Sequence, residues 1–186
     1  RSLQKDLKRL NEETKQTFIF VTHDLQEAMV MSDRLIVMNQ GRIEQIDTPA
    51  NVYDRPKTKF VADFIGETNL LPVKVTSHDE NRICCRSEID REFTVPNNQG
   101  TDVPGEGYLL IRAERIKIGK KPSQTNYLIG EIEERFLMGS IVHYGVKVGD
   151  KMITVASTNL KGERYDGPMH EKVVLEWEED SGIFIR

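Results

Sequence analysis

Residues Thr17 to Asp47 read T-F-I-F-V-T-H-D-L-Q-E-A-M-V-M-S-D-R-L-I-V-M-N-Q-G-R-I-E-Q-I-D. The first six residues form a short apolar, β-branched and aromatic run, the composition of a strand buried on both faces. The run delivers His23 to its end and passes at once into a helix start. Asp24 can cap that helix, and Glu27 three residues on completes a capping-box arrangement in which Asp replaces Ser or Thr. The helix is expected to stop near Ser32-Asp33. Leu35–Met38 and Ile43–Ile46 then read as two strands around Asn39-Gln40-Gly41, whose Asn and Gly tolerate the positive φ of a tight hairpin. Strand, histidine, helix and hairpin in this order predict an α/β arrangement with one imidazole at the carboxyl end of a strand, the edge where open α/β sheets hold ligands.

On the N-terminal side, Leu3, Leu7 and Leu10 stand at i, i+4 and i+7 with Lys5, Lys8, Arg9 and Glu12 on the other faces, an amphipathic helix over residues 1–15. On the C-terminal side, Thr48-Pro49 pairs a good cap with the residue favoured at the first helical position, which predicts a short helix over Ala50–Arg55, stopped by Pro56. Thr58–Ile65 reads as another, closed by Gly66. Beyond Gly66 short β-runs recur: Leu71–Val75, Arg82–Cys85, Glu92–Val95, Tyr108–Ile111, Ile129–Phe136, Ile141–Val148, Met152–Ala156 and Val173–Trp177. Turn residues separate them at Asn97–Gly100, Pro104–Gly107, Gly149-Asp150 and Asp166–Pro168. That texture predicts an all-β barrel or sandwich, with the boundary near Gly66 to Asn69: a first domain over 1–67 and a second over 68–186.

Composition narrows the function classes. The 186 residues carry 26 Lys and Arg against 30 Asp and Glu, a net charge of −4, with the basic residues scattered. Nucleic acid is not the expected partner, and an OB-like barrel that binds it would want basic and aromatic residues along one groove. The longest apolar runs, such as Phe18–Val21, fall far short of the ~20 residues that span a bilayer, so direct membrane insertion is not expected. The two cysteines, Cys84 and Cys85, are adjacent and should point to opposite faces of a strand, which offers neither a metal clasp nor a redox pair and suits a reduced, cytoplasmic setting. Arg1 opens the chain without an initiator methionine or a signal pattern, which reads as a piece of something longer.

Taken bare, a lone histidine at a strand end reads first as a satisfied side chain beside a capped helix. With an ordinary pKa of ~6.5, however, an imidazole near neutral pH can donate one hydrogen bond and accept another, which suits a γ-phosphate sensor. The surrounding sequence favours that role. Thr17 to Asp47 resembles the region of ABC ATPases that contains the switch histidine. The continuation T-P-A-N-V-Y-D-R-P-K-T-K-F-V-A-D-F-I-G-E-T-N-L-L, Thr48 to Leu71, resembles importer ATPases that carry a C-terminal regulatory TOBE domain. The resemblance implies that residues 1–67 are the C-terminal portion of a P-loop ATPase domain and that 68–186 form an OB-like barrel. It implies that His23 contacts the γ-phosphate of ATP and helps orient the attacking water, while Asp24 shapes the loop. ATP and Mg²⁺ would be the cofactors of the intact parent. A second copy of the subunit and membrane permease subunits would be its partners, at the cytoplasmic face of the membrane as a peripheral protein. Phe64 to Leu71 leans towards importers of spermidine and putrescine, with sugar, ferric iron and glycine betaine importers as alternatives.

The phosphate-binding half of that machinery is not found in these residues. Gly100 and Gly105 have the spacing of a G-x-x-x-x-G-K-[ST] loop, but Glu106 follows; Gly162 and Gly167 do too, but Pro168 follows. There is no Gly-Gly-Gln signature, and the one Asp-Glu pair, Asp79-Glu80, follows Thr76-Ser77-His78 and no apolar strand. Phosphoryl transfer needs a phosphate cradle and Mg²⁺, so the chain alone is expected not to hydrolyse ATP. The helix at 1–15 and the strand at 17–22 would expose apolar faces and be mobile or pack on another copy.

In the second half, Leu109-Leu110-Ile111-Arg112-Ala113-Glu114-Arg115-Ile116 resembles the I-R-P-E segment of TOBE domains, with Ala113 in place of Pro. Glu131 to Ser140 with His143-Tyr144 resembles the second half of such a domain. The resemblance implies subunit contacts or binding of a small effector, which makes Arg112 and Glu114 regulatory candidates; by spacing alone they are a same-face pair on a strand. The whole could instead act as a small-molecule or partner-binding regulatory module. Glu131 and Glu133 share a strand face and could hold a cation, although a solvated acidic face accounts for them as well. His143 and Tyr144 should alternate faces, while His78 and His170 stand alone, so no zinc site or nucleophile triad is predicted.

Overall fold

The computed structural model describes the backbone of residues 2–186 and side chains from Asp6 onward. The chain divides into two compact units, Arg1–Ile65 and Gly66–Arg186.

The first unit begins with α1 (Ser2–Thr14). Of its predicted apolar stripe, Leu10 is 45% exposed; the Leu3 side chain lies outside the described residues. α2 (Leu25–Met31) starts on Asp24, whose carboxylate accepts the Glu27 N–H at 3.1 Å. The Asp24 N–H goes to the Thr22 hydroxyl at 2.9 Å, and that hydroxyl donates to Glu27 at 3.3 Å. The capping box is thus closed through Thr22 instead of directly. β1 (Leu35–Asn39) and β2 (Arg42–Asp47) form an antiparallel hairpin with a bulge between Val37 and Met38. Its positive-φ residues are Gln40 and Gly41, not Asn39. Two residues with φ > 0 are what a two-residue loop needs to match the twist of its strands.

α3 (Pro49–Asp54) is capped by Thr48 with Pro49 in its first turn, and α4 (Lys59–Phe64) is capped by Thr58. Ile65 is the C-cap of α4, one residue before the predicted Gly66. Val37, Val52, Val61 and Ile65 make a small core with Leu25, Leu35, Tyr53 and Phe60 around it. Each fully buried valine contributes about 1.5–3 kcal/mol as an upper bound. The buried Gln45 amide fastens the α3–α4 turn by donating to the Arg55 carbonyl at 3.1 Å and accepting the Lys57 N–H at 2.9 Å.

Thr17–Thr22 is not a strand. The segment has no ladder partner among the described residues, and Ile19 and Val21 are 88% and 91% exposed. Its residues suit a central strand, but a strand exists only through hydrogen-bonded neighbours, and none lies beside it here. The α/β sheet expected of the first half is therefore reduced to helices and one hairpin.

The second unit is all β with two 3₁₀ turns: β3 (Thr68–His78), β4 (Arg82–Ser87), β5 (Glu92–Pro96), β6 (Glu106–Arg112), β7 (Lys117–Gly119), β8 (Asn126–Met138), β9 (Ile141–Val148), β10 (Lys151–Thr158), β11 (Lys172–Trp177) and β12 (Gly182–Ile185). They form two antiparallel five-stranded sheets, β12-β6-β3-β4-β5 and β10-β9-β8-β11-β7. One core joins them, with Leu71, Ile83, Phe93, Leu109 and Ile111 from the first sheet and Leu128, Ile132, Tyr144, Val155, Leu175 and Trp177 from the second. Trp177 packs on Phe93 with ring centroids 5.3 Å apart.

Gly130 shows how tightly β8 and β9 approach. A Cβ there would stand 2.6 Å from the Lys147 carbonyl oxygen and 2.7 Å from a Val146 methyl. Because the nearest obstacle is backbone, Gly130→Ala is expected to destabilise the second unit by about 1–3 kcal/mol. Chemical denaturation of the variant checks this, and an unchanged midpoint would mean that the strands can part.

Candidate functional site

His23 is exposed, between the irregular Thr17–Thr22 segment and α2. The Thr22 and Asp24 contacts fix the backbone on either side of it, so the imidazole projects from a defined turn. Around it, Phe18, Ile19, Phe20 and Val21 present exposed apolar surface. Toward solvent this turn presents one imidazole.

Arg112 and Glu114 are not a pair on one strand. Arg112 ends β6 and is only 3% exposed, and its guanidinium donates to the Thr68 hydroxyl at 2.6 Å. Glu114 lies exposed on the 3₁₀ turn Ala113–Arg115. The chain leaves the strand at Ala113, so the alternation assumed for i and i+2 ends there. A buried arginine on a strand-end hydroxyl braces the fold and has no surface to offer an effector.

A bulge falls between Ile132 and Glu134, but Glu131 and Glu133 still flank buried Ile132 and line one groove, as the strand alternation predicts. Glu131 sits in a cross-strand row between Lys172 of β11 and Lys147 of β9, and His170 approaches it at 3.5 Å. Residues of opposite charge thus stand opposite it on both adjacent strands, a favourable cross-strand arrangement. A shallow groove of about 380 Å³ runs over this row, lined by Ile129, Gly130, Glu131, Glu133, Lys147 and Lys172 among others. Among the described residues no three or more His, Cys, Asp or Glu side chains converge as a metal site would require.

Tyr144 faces the core and donates its hydroxyl to the Tyr165 carbonyl at 2.9 Å, while His143 on the other face lies 2.9 Å from Glu67. Burial, followed by its hydrogen bond to Glu171, pushes the Tyr165 phenol up to about 12. Burial likewise pushes the Cys85 thiol up to about 12, so it stays protonated and inert. Cys84 lies on the opposite, partly exposed side.

Two polar residues that the sequence did not single out hold the second unit closed. The Thr94 N–H of β5 donates to Asn126 Oδ1 at 2.9 Å, and Asn126 Nδ2 donates to the Thr94 carbonyl at 2.7 Å. Asn69 does the same for Thr154 of β10, with both bonds at 2.8 Å. Both asparagines are buried. Each carboxamide imitates a ladder rung at an outer strand of the opposite sheet, so the two sheets are clasped reciprocally.

Comparison with known proteins supplies the family. Residues 109–185 match the TOBE domain. The spermidine/putrescine import ATP-binding protein PotA of Roseobacter denitrificans is 39% identical over 142 residues, 76% of this chain and 39% of that protein. The protein of the same name from Nitrosospira multiformis is 31% identical over 188 residues, 98% of this chain and 52% of its own length. That from Protochlamydia amoebophila is 34% identical, covering 97% of this chain and 50% of its own length. The chain thus spans about half or less of the length of these relatives. Among solved structures, the cytoplasmic molybdate-binding protein ModG, with molybdate bound, superposes with a TM-score of 0.52 at 11% identity, over 62% of this chain and 94% of that one. That likeness concerns the fold. Over most of its own length the chain is thus similar to spermidine/putrescine import ATP-binding proteins, and residues 109–185 of its second unit match the TOBE domain.

Proposed function

We propose that this chain is part of the ATP-hydrolysing subunit of an ABC importer for polyamines, in which His23 senses the γ-phosphate of ATP and the second unit regulates the complex or joins its copies. The observation that carries this reading is a similarity to spermidine/putrescine import ATP-binding proteins that runs through both units, up to 98% of the chain. In the complete protein, bound ATP with Mg²⁺ supplies the phosphoryl group and neutralises the charge that develops on it. His23 adds an imidazole held on a capped turn, able to hydrogen-bond the terminal phosphate and a water at the same time. No helix of the described residues is long and apolar enough to cross a membrane. The similarity to import ATP-binding proteins supports membrane permease subunits and a second copy of the ATPase subunit as its proposed partners, at the cytoplasmic face.

Uptake of radiolabelled spermidine and putrescine tests the substrate. Deleting the gene is expected to abolish high-affinity uptake and restoring it to recover uptake; a deletion strain that loses maltose, ferric iron or glycine betaine uptake instead would reassign the cargo. The isolated 186-residue chain is expected to show no ATP turnover above a His23→Ala control.

The groove across Glu131, Lys147 and Lys172 favours a second reading, in which the second unit binds a small effector. Calorimetry of the chain with polyamines, sugars and oxyanions separates the two: saturable heat supports a sensor, and its absence leaves the unit with structural and subunit contacts only.

A further inference from the structure

The second unit begins at Gly66, and the next three side chains are each fastened to a different part of it. Glu67 Oε2 lies 2.9 Å from His143 Nδ1 on β9, and the His143 side chain is only 15% exposed. The Glu67 carbonyl also accepts the Ala113 N–H at 3.1 Å. The Thr68 hydroxyl accepts from buried Arg112 at the end of β6 at 2.6 Å and donates back to the Gly66 carbonyl at 3.1 Å. Asn69 clasps Thr154 of β10 through two bonds of 2.8 Å. Backbone pairing of Thr68 with Arg112 and of Asn69 with Ile111 underlies all three.

A strand end held only by its ladder frays at a free-energy cost near zero. This one is held from both sheets, since β6 belongs to one and β9 and β10 to the other. Arg112 and Asn69 are buried, so three of these bonds have one buried partner, and breaking them leaves that partner's polar group unsatisfied.

We propose that Glu67 and Thr68, seated just ahead of the Asn69 clasp, anchor the entrance to the second unit and make it rigid, confining backbone flexibility between the two units to the residues upstream of Glu67. The G-E-T-N stretch is then an architectural element that fixes where the sheets of the second unit begin. The inference holds whatever solute the importer carries.

Amide exchange and ¹⁵N relaxation on the full 186-residue chain test it, comparing wild type with the Glu67→Ala/Thr68→Val double variant and with Glu67→Gln, which keeps an acceptor for His143. In the double variant, exchange at residues 67–70 and at Ala113 is expected to speed at least tenfold, while Ile83–Cys85 and Val173–Leu175 keep their protection. Relaxation should show fast internal motion extending from residue 66 to residue 69. Glu67→Gln should stay close to wild type. Unchanged exchange and relaxation in the double variant would overturn the proposal, because the ladder alone would then hold the segment. Protection lost evenly throughout the second unit would overturn it as well, because the contacts would then serve global stability and not local stiffness.

Discussion

Asn126→Leu is expected to destabilise the second unit by about 2–5 kcal/mol. The wild-type carboxamide satisfies both the N–H and the carbonyl of Thr94, and the asparagine is fully buried. Leucine offers neither donor nor acceptor, and each buried polar group left without a partner costs about 1–3 kcal/mol. The apolar surface that leucine adds recovers only part of that, since the space is shaped for a flat amide and overpacking has its own cost. A loss of about 3 kcal/mol corresponds to a fall of roughly 10 °C in the unfolding midpoint of a domain of this size. Asn69→Leu should behave alike at Thr154. The two clasps share no partner, so the double variant is expected to lose close to the sum. Calorimetric melting of the single and double variants checks this. If Asn126→Leu melts with the wild type, water reaches Thr94 and the clasp is not what closes the sheets. Should the variant not fold, Asn126→Ser, which keeps a hydroxyl, is expected to fold with faster exchange at the Thr94 amide, and unchanged exchange there would refute the role.

The contrast between what could and could not be read in advance follows from the reach of each interaction. Asp24, Thr48 and Thr58 cap their helices through bonds to N–H groups three residues on, so the signal lies inside a four-residue window. The hairpin at Gln40-Gly41 is similarly local, and the error about Asn39 came from assigning the left-handed conformation by residue preference when the loop length decides it. Asn69 and Thr154 are 85 residues apart, and Asn126 and Thr94 are 32 apart. An asparagine on a strand carries no mark of whether it faces water or an unpaired strand across a core. Thr17–Thr22 failed in the opposite direction: its composition suits a central strand, but strands are a property of pairs, and a partner cannot be inferred from one run. β7 has three residues and β12 four, too short to show alternation. The bulge beside Glu133 inserts one residue into the ladder with β9, a shift that side-chain alternation alone does not announce.

For the candidate site the legible part was the segment, and the role of the imidazole follows from a split between stability and turnover. In the complete ATPase subunit, assembled with its partners, His23→Ala is expected to lower the rate of ATP hydrolysis by about 100-fold or more, the scale set by losing one group that positions or relays a proton in the transition state. ATP binding should change little, because a phosphate cradle and Mg²⁺ carry most of the ground-state affinity and the imidazole acts on the terminal phosphate and the water. Stability should not change either: His23 is exposed, and surface substitutions away from caps and cores usually stay within about 0.5 kcal/mol. Asp24→Ala should show the opposite pattern. It removes the bond to the Glu27 N–H, costs about 0.5–2 kcal/mol of helix stability, and reaches turnover only indirectly. Steady-state hydrolysis, nucleotide affinity and melting of the two variants side by side decide the matter. A kcat loss in His23→Ala with affinity and melting intact assigns the imidazole to the chemistry, whereas undiminished kcat would return it to the status of a surface side chain beside a capped helix and remove the γ-phosphate sensor from the mechanism.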